Sequence, residues 1–322
     1  MIIWVHDALF SKERHDLALL TLFRNVADRR HTLLIATHPN APRHRRTAPC
    51  FEQWLEAFPA SLQSELGLIR EYLKGISSNA SVRDTTRLLV AARKLPDGVK
   101  GCEVSLAEAV RAAAQPLYLL VEDQINDAAF LRQVMSPRWR RKLKQWEENG
   151  QLRYENGGGI NSMKRIVDFH AQDNNARLAF GLPANLWWLT HFVIYDHDGD
   201  VVDRPSDSSR KVEKSCKKAY AQNRCHRLER RTQENYLPKE AMQAIAKDRL
   251  TDAKDREKML NLIEQHCEQN QDCHFVKVPQ LGKEAFFKNE FAKGASWPEK
   301  WFEDDDAWPE MTMLAEKIAA AM

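Results

Sequence analysis

No stretch of this chain is apolar for long enough to cross a bilayer. Its first residues, Met1-Ile-Ile-Trp-Val-His-Asp7, lack the basic start and apolar core of a secretory leader, so no membrane partner and a cytoplasmic location are expected. Only six cysteines are spread over 322 residues, and no two are spaced Cys-X-X-Cys. That excludes a disulfide framework and matches no standard zinc finger; reduced, buried thiols are expected instead. There is no Gly-X-X-X-X-Gly-Lys-Ser/Thr loop, which excludes ATP hydrolysis by that route. Excess charge of one sign is also missing. The formal net charge is only +3, so bulk charge does not argue for a nucleic-acid partner, and only local clusters of cations can. Internal repeats are absent.

What is present is enough apolar sequence, 43%, to bury a core of one large or two smaller domains. Ile2–Val5 and Thr32–Ala36 read as short buried strands on either side of a helical pattern over Glu13–Asp28. The prolines of residues 37–49 mark a loop, and helical patterns follow at Phe51–Phe58 and Leu62–Leu73. Thr86–Ala92 is a weaker strand candidate. Residues 1–100 therefore form a small α/β domain whose role the sequence leaves open. The turn Pro96-Asp97-Gly98 closes it.

From Ser105 the alternation is regular. A helix over Ser105–Gln115 ends at Pro116. Strands are expected at Leu117–Val121, Gln151–Tyr154, Phe192–Tyr195 and His226–Arg230. Helices are expected at Ala128–Met135, then through basic sequence to Trp146, and at Asn161–Asp173 and Ser208–Asn223. Strand–helix alternation predicts a parallel sheet with crossover helices, and ligands in such sheets sit beyond the carboxyl ends of the strands. Residues 101–295 make this second domain. It ends in helices at Lys239–Cys267 and Glu284–Ala292, with a short apolar run at His274–Val278 between them. Residues 296–322 are a tail rich in Trp and acid, with a terminal helix and a solvated turn at Glu303-Asp-Asp-Asp306.

Carboxylates cluster where the strands stop. Leu117–Val121 runs into Glu122, and Phe192–Tyr195 runs into Asp196-His197-Asp198-Gly199-Asp200. Residues i and i+2 of an extended chain face the same way, so Asp196 and Asp198 are predicted to point together, with His197 pointing away. Asp200 extends the cluster. Oxygen ligands of this kind suit a hard cation such as Mg²⁺ or Mn²⁺. The same segment also reads as a plain polar turn, because Asp and Gly are turn residues. Both readings stand at the level of sequence.

Taken in order, Glu122, the run Gly157-Gly158-Gly159, Asp196-X-Asp198 and Arg230-Arg231-Thr-Gln-Glu234-Asn-Tyr-Leu237 resemble the TOPRIM domain. They are most similar to its nuclease form in the overcoming-lysogenization-defect (OLD) nucleases of bacterial anti-phage defence. The resemblance covers about residues 105–290 and departs from the family pattern at two places. Asp123 stands where Gly is usual, and Asn126 stands where an Asp is usual, with Asp127 one step later. It implies a TOPRIM-like parallel sheet and a Mg²⁺-dependent phosphodiesterase cutting DNA or RNA by a two-metal mechanism. The implied metal ligands are Glu122, Asp196, Asp198, Asp200 and Glu234. Lys283 is the implied charge-neutralising lysine, although its setting suits a solvated helix start better. A separate regulatory ATPase is the expected partner, since these nucleases couple the domain to an ATPase that this chain lacks. A homo-oligomer is left open. The alternatives are a non-catalytic TOPRIM-like module that binds nucleic acid or a partner, and a primase or topoisomerase fragment. The last is disfavoured by the missing zinc module and by the short chain.

Arg138-Trp-Arg140-Arg141-Lys142-Leu-Lys-Gln-Trp146 interleaves cations with tryptophans. Arg138, Arg140, Arg141 and Lys142, together with Arg230 and Arg231, are candidates for nucleic-acid contact. Trp139 and Trp146 lie seven residues apart, which places both on one helix face, and they read as core.

Overall fold

The computed structural model describes residues 2–11, 15–29, 31–37, 48–77, 87–90, 102–172, 187–218, 224–269, 273–280, 286–293 and 297–322. Two compact units emerge. The first comprises Met1–Pro116, Asn175–Thr190 and Ala320–Met322, and the second Leu117–Asn174 and His191–Ala319.

In the first unit, β1 (Ile2–His6), α1 (Asp16–Arg29), β2 (Thr32–Ala36), α2 (Pro49–Glu56), α3 (Ala60–Ser77), β3 (Arg87–Val90), β4 (Cys102–Val104) and α4 (Leu106–Ala114) follow in order. All strand pairs are parallel, in the order β2-β1-β3-β4. The sheet and helices close over a core that includes Ile3, Val5, Leu22 and Val26. Phe10 and Phe51 meet edge-on in it at 5.0 Å, with Phe23 and Trp54 completing the aromatic cluster. Ser105 starts α4 through a reciprocal capping box with Glu108. The fully buried Ala109, Ala112 and Ala113 let that helix pack closely on α1. β4 was not foreseen, and both β4 and α4 belong to this first unit, whereas the sequence grouped residues from 101 with the second. The acid that ends β1, Asp7, is consumed structurally. Its carboxylate accepts the backbone N–H groups of Cys50 (3.1 Å) and Phe51 (3.0 Å) at the start of α2.

The second unit contains β5 (Leu117–Val121), α5 (Gln124–Val134), α6 (Pro137–Glu148), β6 (Leu152–Asn156) and α7 (Ile160–Gln172). A short helix α8 (Trp187–Thr190) lies in the first unit, after which β7 (His191–Tyr195), α9 (Asp207–Lys218), β8 (Cys225–Arg227), α10 (Lys239–Arg249), α11 (Ala253–Gln269), α12 (Glu299–Asp304) and α13 (Trp308–Ala321) follow. This sheet too is all parallel, in the order β6-β5-β7-β8. β7 is buried at every residue, as a central parallel strand should be. From β5 the chain goes first to one side and then to the other, so β5 and β7 flank the topological switch point. Right-handed crossovers then put α5 and α6 on one face of the sheet and α7 and α9 on the other, and α7 packs on α9.

The α/β class and the parallel sheets with flanking helices thus follow the sequence. Several elements differ from expectation. The helix expected over Lys239–Cys267 is two helices. α10 stops at Leu250, and Asp252 starts α11 by accepting the N–H groups of Lys254 and Asp255, both at 2.9 Å. His274–Val278 is a 3₁₀ turn (Cys273–Phe275) and irregular chain, not a strand. Of the helix expected at Glu284–Ala292, the described part is turns and a 3₁₀ turn at Phe291–Lys293, which Arg249 ties down through Phe286 O and Glu290. The C-terminal residues are packed rather than a free tail. Glu310 accepts hydrogen bonds from Glu229 N (2.8 Å) and Tyr236 OH and pairs with His226 at 2.9 Å. Glu303–Asp306 is likewise not wholly solvated, because Asp305 ion-pairs with the buried Arg230. Among the described residues, no helix is long and apolar enough to cross a membrane.

Candidate metal and phosphate site

β5 and β7 are neighbours, so their carboxyl ends bring Glu122 and Asp196 together although 74 residues separate them. Glu122 sits at the start of α7, where its Oε2 accepts Ile160 N at 3.1 Å, and the backbone N–H of Asp196 helps to hold its charge. A carboxylate at a helix N-terminus is favoured by the unpaired amides there. Burial nevertheless raises Glu122 above the ordinary carboxylate range, and the charges of Asp198 and Glu234 add to the effect. Burial also pushes Asp196 well up, followed by the charges of Glu122, Asp127, Glu234 and Asp198. Five acids from three places in the chain thus repel one another around one spot.

That spot is a cavity of about 610 Å³ lined by Glu122, Asp123, Asn126, Asp127, Asp196 and Glu234, with Gly158, Gly159 and Lys288 at its edge. Glu234 comes from a 3₁₀ turn, Gln233–Tyr236, whose start is fixed by Thr232, which donates its hydroxyl to Asn235 Oδ1 at 3.0 Å and accepts Asn235 N at its carbonyl oxygen. Asp127, uncertain from sequence, is drawn in. Burial lifts it to about 7, against the lowering pull of Gln233 and of the Asp123 N–H. Asp127 accepts from the Gln233 amide nitrogen, and the Gln233 amide oxygen accepts from Asn126 Nδ2 at 2.8 Å. Each amide nitrogen donates to the next group along, so this chain of bonds has one polarity. It leaves Asn126 Oδ1 buried with no hydrogen-bond partner.

The loops follow from local constraints. A Cβ on Gly157 would fall 2.7 Å from Val121 O and 2.2 Å from Met163 Cγ, so only glycine lets β6 turn so tightly into α7. After β7, His197 points away from the cavity, as expected, and is buried. Its Nδ1 accepts Gly199 N at 3.1 Å and its Nε2 meets Val202 O at 2.9 Å, which assigns the proton to Nε2. The turn puts Asp198 at φ 51°, with its N–H donating to Arg231 O at 2.7 Å. Asp198 is exposed and is not among the residues that line the cavity, so the expected alignment with Asp196 is not formed, although its charge still acts on Glu122 and Asp196.

Other predicted site residues go elsewhere. Asp200 is 84% exposed at its side chain and ion-pairs with Arg231, because the turn at Asp198–Gly199 carries it out of the group. Arg230 is buried between Asp305, the Asn235 carbonyl and the Tyr236 ring, so it is structural and not free for nucleic acid. Arg140 is held by Glu299 and the carbonyls of Gln133 and Met135. Arg138 and Lys142 lie over the buried Trp139 ring, and Arg141 is exposed. Lys283 lies outside the described residues. Lys288, which no sequence signal marked, is the lysine on the cavity wall among the described residues.

Among the described residues, no three His, Cys, Asp or Glu side chains are close enough, as they stand, to ligate one ion. The groups nevertheless fit a hard cation. They are all oxygen donors, they carry unrelieved mutual repulsion, and Asn126 Oδ1 is an acceptor without a donor. A larger recess of about 670 Å³ lies beside β8, lined by His197, His226, Arg227 and Glu310 among others. Its principal charges are already paired, as Arg227–Glu213 and His226–Glu310, and it holds no comparable excess of like charge. No family model, curated protein or solved structure matches the chain.

Proposed function

We propose that this chain is a metal-dependent nuclease of the TOPRIM type, hydrolysing phosphodiester bonds in DNA or RNA as the effector of an anti-phage or toxin-like system. The observation that carries the reading is the meeting of Glu122, Asp196 and Glu234 around one cavity at the switch point of a parallel sheet. Glu122, Asp196 and Glu234 would hold Mg²⁺ or Mn²⁺, with the charge of Asp198 nearby and Asn126 Oδ1 as a neutral donor. Bound cations would supply Lewis-acid polarisation of a phosphoryl oxygen and a more acidic water. The chain's own groups do the rest. Gly158 and Gly159 let backbone come close to a phosphate. Lys288 takes the neutralising role first expected of Lys283, opposite charge that develops on the phosphoryl oxygens. The Asn126–Gln233–Asp127 chain keeps the turn bearing Glu234 in place. Control by a separate ATPase subunit belongs to this reading, since the chain has no phosphate loop of its own.

The test is cleavage of plasmid, single-stranded DNA and total RNA by the full chain with Mg²⁺, Mn²⁺ or chelator. Asp196→Ala and Glu122→Gln should each lower the rate by about 10²–10³-fold or more, and Lys288→Ala by roughly 10²-fold. Asp200→Asn should stay within roughly twofold, as expected of surface changes. A folded Asp196→Ala chain that cuts like the parent sinks the proposal. The absence of three converged ligands among the described residues, with Asp123 and Asn126 in place of Gly and Asp, favours a second reading as a non-catalytic binding module. An unchanged biological effect in Asp196→Ala would select it.

A further inference from the structure

The helix pair α7/α9 carries a basic stripe outside every cluster of cations that stands out in the sequence. Lys211, Lys214 and Lys218 are spaced i, i+3 and i+7 on α9, so they form one line along the helix. All three are exposed, and none forms an ion pair with a described residue. The opposite side of α9, Ser209, Val212 and Cys216, is buried. α7 adds Arg165 and, one turn on, Phe169, which is 56% exposed. The two helices run side by side in the same direction, since Ser208 Oγ meets Asn161 Oδ1 (3.4 Å) in their first turns and Ser215 Oγ meets Asp168 Oδ1 (2.5 Å) two turns later. α7 begins at the carboxylate cavity, and α9 starts beside the first turn of α7. Gly158 and Gly159 line the cavity and lead into α7, and the first N–H of α7 binds Glu122.

We infer that this stripe is the track for a single strand of nucleic acid whose backbone leads into the carboxylate cavity, an inference that rests on the nuclease reading for what happens at its end. The lysines span about 10 Å along the helix axis, a length over which a strand presents two or three phosphates. An acidic protein would match the charge equally well. The exposed Phe169, on the neighbouring helix one residue past the Asp168–Ser215 contact, selects an unpaired base, which can stack on an aromatic face where a paired one cannot. The acids on this face, Asp168, Asp207 and Glu213, are already engaged by Lys164, Arg210 and Lys217.

The experiment is fluorescence anisotropy of the full chain with labelled single strands of DNA and RNA of about 20 nucleotides, and with the matching duplex, in chelator over a salt series. In the triple variant Lys211→Ser, Lys214→Ser, Lys218→Ser, the slope of log K against log salt should fall by about 2, making binding weaker by on the order of 100-fold at 0.1 M salt. Phe169→Ala should weaken single strands by roughly tenfold and duplex little. The melting temperature should hold, and Lys214→Glu alone serves as a single-site check. Hydrolysis of bis(p-nitrophenyl) phosphate should be unchanged in the triple variant, because that substrate needs only the cavity. A folded triple variant that binds single strands as tightly as the parent overturns the inference. So does a parent chain that prefers duplex, acidic peptide or anionic vesicles. Because binding is read in chelator, failure of the parent to cleave any phosphodiester would count against the nuclease reading alone.

Discussion

Asp127 illustrates how one position in a helix decides what a carboxylate does. Its neighbour Asn126 occupies the place where the TOPRIM pattern that the sequence resembles has an acid, and both residues are buried on the first turn of α5. Burial lifts Asp127 to about 7, so the folded chain binds this proton more tightly than the unfolded chain, where an ordinary Asp titrates near 3.9. Stability from this group is therefore full below about pH 4 and is lost as pH rises to about 7, by up to about 4 kcal/mol. In chelator, urea titrations of the parent should show that decline, and Asp127→Asn should make it shallower, leaving the part contributed by the raised Glu122 and Asp196. If the variant declines as steeply as the parent, some other group is responsible. Sequence reading could name Asp127 but not place it, because a helix turns about 100° per residue and the register of the first turn is set by the Asp123 cap. Alternation from Asp196 put His197 on the other side, but it failed at Asp198, because a left-handed residue there ends the extended chain on which the pairing of Asp196 with Asp198 was read.

At the scale of elements, the end of β8 is locked to the end of α12. Arg230 donates to the Asp305 carboxylate and carbonyl and to Asn235 O, and lies over the Tyr236 ring at 4.8 Å. Arg230→Ala would leave the half-buried Asp305 carboxylate and the Asn235 carbonyl without their donor, with an expected loss of about 1–3 kcal/mol by denaturant unfolding. A loss below roughly 1 kcal/mol would mean that water relaxes around Asp305. Arg230 looked like a nucleic-acid contact because Arg230-Arg231 is a pair of adjacent cations, and sequence does not show that an acidic turn 75 residues later folds onto it. The strands were legible for the opposite reason. Leu117–Val121 and Thr32–Ala36 are compact apolar runs bounded by breakers, and they fall where expected. β4, with three residues, is too short to leave a periodic signal. The break between α10 and α11 rests on a single capping Asp.

At the scale of the molecule, the two units share a strand order: each second strand lies outside the first, and the third and fourth lie beyond it on the other side. Each therefore has a switch point, and each ends its first strand in an acid. In the first unit Asp7 is spent on the start of α2. In the second, Glu122 faces the other carboxylates across a cavity. Only the second is left with charge to relieve, so a divalent cation should stabilise the full chain. At a hundred times its dissociation constant the gain is about 2.7 kcal/mol, several degrees by differential scanning fluorimetry, and Asp196→Ala should abolish it. No shift with Mg²⁺ or Mn²⁺ in the parent would leave the acids without a ligand. Composition and local pattern alone determined that this chain alternates strands with helices in parallel sheets and ends strands in carboxylates, because burial periodicity and turn chemistry are properties of neighbours in sequence. Only the tertiary structure decided which acids meet, which arginines are buried and where Lys288 stands. Those depend on strand order and on contacts between residues tens of positions apart, whose closure no local signal encodes.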